Sequence, residues 1–191
     1  MDNILEKYYS SNEEWYHTRQ HIEELLFMWD FYKKFFVNEF KDIDEKALVE
    51  TIYYHDSVYI PGSKTNEEDS VNVYLQEGGI DKKVIDCILS TKVGNVCFQN
   101  EVEKIMHDLD WSGFRDYVTM LRNEKNILRE AVEKGGYKEN EALNCQIEFY
   151  KSIYEKEIYV TETFKKFNKL VKTNIKRRLK DLCPNYGEQD E

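Results

Sequence analysis

The fold turns on DEKALVETIYYHDSVYIPGSKTNEEDSVNVYLQEGG, residues 44–79. Asp44 stands where a helix N-cap belongs, and Leu48 and Ile52 follow at helical spacing. His55 and Asp56 continue that apolar row, so both face inward on the last turn of the helix. IPGSKT then breaks the pattern. A second helix begins with Asn66 as its cap and stops at Gly78-Gly79. The stretch reads as helix, short loop, helix. An inward aspartate without a partner costs several kcal/mol. Something cationic must therefore meet Asp56, either a metal ion or an arginine.

Upstream, a long helix is expected from Asn12, with Glu13 and Glu14 in its first turn and WYHTRQHIEELLFMWDFYKKFF (15–36) as its body. Trp15, Ile22, Leu25, Leu26, Trp29 and Phe36 form its buried stripe. His17 and His21 stand four apart on one face, at the edge of that stripe. A hydrogen-bonded core pair and a pair of ligands both fit this placement. Downstream, helices are expected over 81–92, 98–110, 111–136, 139–157 and 164–182. In the third of the inward-facing segments, Phe98, Val102, Ile105, Met106 and Leu109 define the apolar side. His107 points away from it, Asp108 and Asp110 flank it, and Asp110 lies one turn beyond Met106 and can turn inward.

No segment alternates as a strand, and proline and glycine are scarce. The chain of 191 residues reads as one all-α domain with a core over about 12–182 and frayed ends at MDN and GEQDE. Its net charge of −10 argues against nucleic acid and anionic lipid as partners. The basic segment 164–182 is an exception. Phe164, Phe167, Leu170, Val171, Ile175 and Leu179 give it an apolar face, and its lysines and arginines form either a solvated face or a phosphate-attracting one. Cys87, Cys97, Cys145 and Cys183 show no zinc spacing. No signal core and no membrane-length apolar run occurs, which points to a cytoplasmic setting with free thiols and no membrane partner. A homodimer is compatible with the sequence.

Four segments in order carry a resemblance. They are Tyr16-His17-Thr18-Arg19-Gln20-His21, then Tyr54-His55-Asp56-Ser57-Val58-Tyr59, then Asn66-Glu67-Glu68-Asp69-Ser70, then Asp108-Leu109-Asp110-Trp111. Arg122-Asn123-Glu124 adds a fifth, weaker match. Together they resemble the HD superfamily, and within it the branch of predicted metal-dependent phosphohydrolases with YHxxxH, HDxVY, NEExS and DxD segments. The likeness spans roughly residues 15–180. It implies a single-domain helical HD bundle and a hydrolase of nucleotides or other small phosphorylated metabolites, working through water activated at a metal.

The resemblance implies ligands at His21, His55, Asp56 and Asp110 for one divalent ion, of the manganese, iron, cobalt, nickel or magnesium kind that such donors suit. His17 is implied as the proton donor to the leaving oxygen. Asp56 and Glu67 join it as catalytic candidates, Glu67 or Glu68 by orienting water or a ligating histidine. The acidic run 67–69 fits the first turn of a helix equally well. Lys64, on the Pro-Gly loop, Lys92 and Arg122 are candidate phosphate contacts, and each also fits an ordinary surface charge. Thr91-Lys92-Val93-Gly94 lacks the histidine that the family usually carries there. This favours a mononuclear site. It also opens an alternative, a degenerate HD domain that binds a nucleotide or a protein partner without turnover. An iron oxygenase of the same fold would need more ligands than these segments offer.

Overall fold

A computed structural model describes residues 2–10, 13–95 and 97–186. Its described residues form helices and turns with no strand, as the patterning predicts. The chain folds as two compact units, residues 1–110 and 111–191.

The first unit holds α1 (Asp2–Tyr8), α2 (Arg19–Glu39), α3 (Glu45–Tyr54), α4 (Asn66–Gln76), α5 (Lys82–Ser90) and α6 (Glu101–Asp110). Helix α3 is the hub and packs on α2, α4, α5 and α6. Its Ala47, Leu48, Thr51 and Ile52 are fully buried, and Ile88, Ile105, Met106 and Leu109 close around them. Each such aliphatic side chain contributes about 1.5–3 kcal/mol when it leaves water. Asp44 caps α3 by accepting from the Ala47 amide, as expected. At the end of α4 the Gly79 and Gly78 amides donate to Tyr74 and Leu75 carbonyls. This is a Schellman stop, and Gly78 adopts the positive φ of 89° that it requires. Gly79 has a second constraint, because a Cβ there would lie 2.2 Å from the Tyr74 ring.

Several expectations need correction. Helix α2 starts at Arg19, after an extended Thr18, and not near Asn12, which lies outside the described residues. The Thr18 amide bonds to the Tyr16 carbonyl, a tight turn incompatible with helix. Trp15 and His17 therefore precede the helix, and His17 does not share a helix face with His21. Leu26 is half-buried and lies off the stripe. Asn66 opens α4 without capping it, since its side chain is spent on Ile60. Helix α6 begins three residues after Phe98. Helix α1 is an element the sequence reading omitted, and Asp2 and Asn3 of the supposed frayed end belong to it. Its Leu5 and the following Tyr9 are buried, and the Tyr9 hydroxyl donates to the Tyr53 carbonyl.

The second unit begins with a 3-10 turn, Trp111–Arg115. Asp116 then caps α7 (Tyr117–Glu133) through the Thr119 amide, so 111–136 is not one helix. Helices α8 (Glu139–Tyr154), α9 (Glu162–Lys165) and α10 (Asn168–Leu182) complete it. The expected basic helix is interrupted at Lys166 and Phe167, and Leu170 is exposed. Asn168 explains the break: its side chain accepts from the Ile158 and Tyr159 amides and donates to the Tyr159 carbonyl, tying the preceding loop to the start of α10.

Candidate metal centre

Three helix ends of the first unit meet at one point. Helix α2 brings His21 on its first turn, α3 delivers His55 at its C-cap with Asp56 next to it, and α6 ends on Asp110. The Nε2 atoms of His21 and His55 are 3.4 Å apart. Asp56 Oδ2 lies 2.9 Å from His55 Nε2 and 3.6 Å from His21 Nε2. Asp110 Oδ1 lies 3.3 Å and 3.8 Å from the nitrogens of His21 and His55. His21, His55 and Asp110 form a group able to hold a metal ion, with ligand atoms mutually within 4.8 Å. A first-row ion bonded at about 2.1 Å sets neighbouring ligands roughly 3.0–3.4 Å apart and opposite ones about 4.2 Å apart. The donor atoms here match that spacing, and Asp56 Oδ2 faces both nitrogens as a fourth donor.

The orientation of His55 is built in. Its backbone amide closes the last turn of α3 on Thr51 O, and its Nδ1 lies 3.0 Å from Ile52 O. A carbonyl only accepts, so Nδ1 carries the hydrogen and Nε2 faces the carboxylates. Such a backbone partner fixes the tautomer of a ligating histidine. Both histidine side chains are buried, at 4% and 1% exposure, whereas the carboxylates of Asp56 and Asp110 keep 18% and 20%. The imidazoles form the floor of the cluster and the carboxylates its solvent side.

Charge is balanced within the cluster by protons. Burial alone would push the His55 imidazole down, but Asp56 and then Asp110 outweigh it and raise it to about 9. Burial would likewise push Asp56 up. His55, then His17 and His21, hold its carboxyl well below the usual carboxylate range instead. The cluster thus keeps a proton at neutral pH that a divalent ion would displace.

His17 reaches the cluster without the helix. Its Nε2 stands 3.9 Å from Asp56 Oδ2, and its ring stacks on Tyr59 at a centroid distance of 3.3 Å and 18°. Tyr59 sits on the loop after Asp56, which is pinned to α4 by two side chains. Ser70 Oγ accepts from the Val58 amide and donates to the Val58 carbonyl. Asn66 does the same for Ile60, accepting its amide and donating to its carbonyl. The bonded residues 58 and 60 are two apart, as along a strand. Sequence reading missed Tyr59 as a neighbour of His17. The alternation Val58-Tyr59-Ile60 was its only signal.

The remaining candidates make contacts of their own. Glu67 and Glu68 occupy the first turn of α4, where the helix dipole favours them. Lys92 Nζ lies 3.6 Å from Glu67, and it donates to Glu68 at 2.8 Å and to the Lys64 carbonyl at 2.7 Å. Among the described residues, neither glutamate belongs to the metal-ligand group. The Lys64 side chain is exposed on the loop. Arg122 belongs to the second unit and donates to the Asn123 side chain. Asp108 is fully buried and apart from the ligand group, which uses Asp110. His107 is half-buried against the Phe98 ring at 4.7 Å, so it is less exposed than its position on the helix suggested. No helix is long and apolar enough to cross a membrane among the described residues. Comparison with family models, curated proteins and solved structures finds no match to this chain.

Proposed function

We propose that this chain is a metal-dependent phosphohydrolase of the HD type, acting on a nucleotide or another small phosphorylated metabolite. The observation that carries the reading is the convergence of His21, His55, Asp56 and Asp110 on one point, in the order and spacing of the HD segments. When bound, a divalent ion supplies a Lewis acid that acidifies water and neutralises charge on a phosphoryl group. His21 and His55 hold it from the buried floor, and Asp56 and Asp110 from the solvent side. Asp56 also orients the attacking water. His17 lies beyond the four ligands yet within reach of Asp56, held flat by Tyr59, and donates the proton to the leaving oxygen. Lys64 offers an ammonium to the phosphate from the loop, with Lys92 as a further candidate. Glu67 remains a candidate for orienting water.

Elemental analysis of the purified chain, coupled to a screen of nucleotides and sugar phosphates, tests this. About one divalent ion per chain and turnover of a phosphate ester are expected. His17→Ala should keep the ion and lose roughly 10²–10⁴-fold in kcat. If His17→Ala strips the ion instead, His17 is a ligand and the proton-donor role fails. A bound ion without turnover across the panel overturns the hydrolase and leaves a ligand-binding HD domain.

A further inference from the structure

Helix α2 has a second face that the metal centre does not use. Its buried side carries His21, Ile22, Leu25, Trp29, Tyr32 and Phe36. On the opposite side Phe27 and Phe31 are 68% and 58% exposed, with their rings stacked at 6.4 Å. Single exposed apolar residues are ordinary, but an aromatic ridge on one helix face marks an interaction surface. The residues in line with the ridge are Gln20, Glu24, Phe27, Phe31, Lys34 and Asn38. Their spacing alternates four and three, which is the seam of a coiled coil.

We propose that this ridge docks α2 of a second copy of the chain, antiparallel, about a twofold axis passing between Phe27 and Phe31. The pattern is self-complementary about that axis. Phe27 meets Phe31 of the second copy, Glu24 meets its Lys34, and Gln20 meets its Asn38, each pair occurring twice. A twofold interface requires this kind of self-complementarity, whereas a different protein would not. Parallel pairing would instead set Glu24 against Glu24 and Lys34 against Lys34. Lys34 is exposed, with its ammonium 5.0 Å from the Phe35 ring, and Glu24 is half-buried and accepts from Gln20. Only Asp30 opposes the arrangement, because it faces its own copy at the rim of the seam. Asp30→Asn should therefore tighten the pair.

One helix per chain makes a small interface, so the dimer should assemble in the micromolar range. Sedimentation velocity on the full chain over roughly 1–200 µM covers that range. The wild type should pass from monomer to dimer. Phe27→Glu with Phe31→Glu should stay monomeric, with unchanged helical circular dichroism. Glu24→Lys or Lys34→Glu alone should weaken the dimer about tenfold, as expected for placing like charges opposite each other. Combining the two substitutions should restore it. A wild type that is monomeric throughout overturns the proposal and leaves the ridge to a different protein. A dimer indifferent to the phenylalanine substitutions, or a charge swap no better than either single change, overturns it as well.

Discussion

In the second unit, the buried Glu124 meets a cation from its own chain. Arg178 forks onto both of its oxygens, at 2.9 Å and 2.5 Å, and the Tyr150 hydroxyl adds a third bond at 2.8 Å. In the first unit, the ion-pair partners of Asp56 and Asp110 are the imidazoles of His17, His21 and His55. The same problem, a carboxylate drawn partly or wholly out of water, is solved permanently in one place and conditionally in the other. Arginine stays charged at any ordinary pH. A histidine holds its charge only while it keeps its proton, and it yields that proton to a metal. The contrast separates a structural cluster from a candidate chemical one without reference to any relative. Net charge follows the same division. Residues 1–110 carry 23 acidic against 11 basic side chains, and residues 111–191 carry 14 against 16. The first unit, net −12, concentrates a cation, and the second, net +2, does not.

Removing the permanent cation should have the largest effect. Arg178→Met leaves Glu124 buried beside Tyr150 and should cost about 3–5 kcal/mol of stability, read by thermal or denaturant unfolding, with metal content unchanged. An unchanged midpoint would erase the distinction. Next comes Asp56→Ala, which should weaken metal binding by more than about 100-fold, beyond what a supporting residue contributes. His107→Ala is its control and should keep the ion. Equal loss from both would sink the ligand assignment.

The smallest effect is a pair of opposed pH dependences. His55 is raised to about 9, above its unfolded value of about 6.5. In chelator, its contribution to stability is complete below about pH 6.5 and lost as pH rises through 9. Metal affinity should run the other way, rising up to tenfold per pH unit toward 9 as the competing proton leaves. Titration calorimetry in two buffers would show the proton released. Two curves of the same sign would mean that proton and metal do not share the site.

Much of this was legible beforehand, for a physical reason. Helical periodicity and caps such as Asp44 and Gly78 are local, so α3, α4 and α5 could be read nearly end to end. His55 could be placed inward from its apolar neighbours, whereas Asp56 and Asp110 stand on the solvent side of the cluster. What failed was settled by contacts distant in sequence or by turns. Nothing near Thr18 marks it as extended, so His17 was placed on a helix that starts two residues later. Asn66 reads as a cap until Ile60 is seen to occupy its side chain. Lys92 reads as a free cation until the packing of α4 on α5 sets Glu68 beside it. Helix α1 is too short for a clear period and shows itself only through Tyr9 and Leu5.

The pinning of the loop at residues 57–60 has one more consequence. Because Ser70 and Asn66 each satisfy both backbone groups of a loop residue, the amides of Val58 and Ile60 should exchange their hydrogens with solvent on the timescale of helix interiors. The surface under His17 would then be fixed furniture of the native state, and no opening of this loop would set the pace of entry to the cluster.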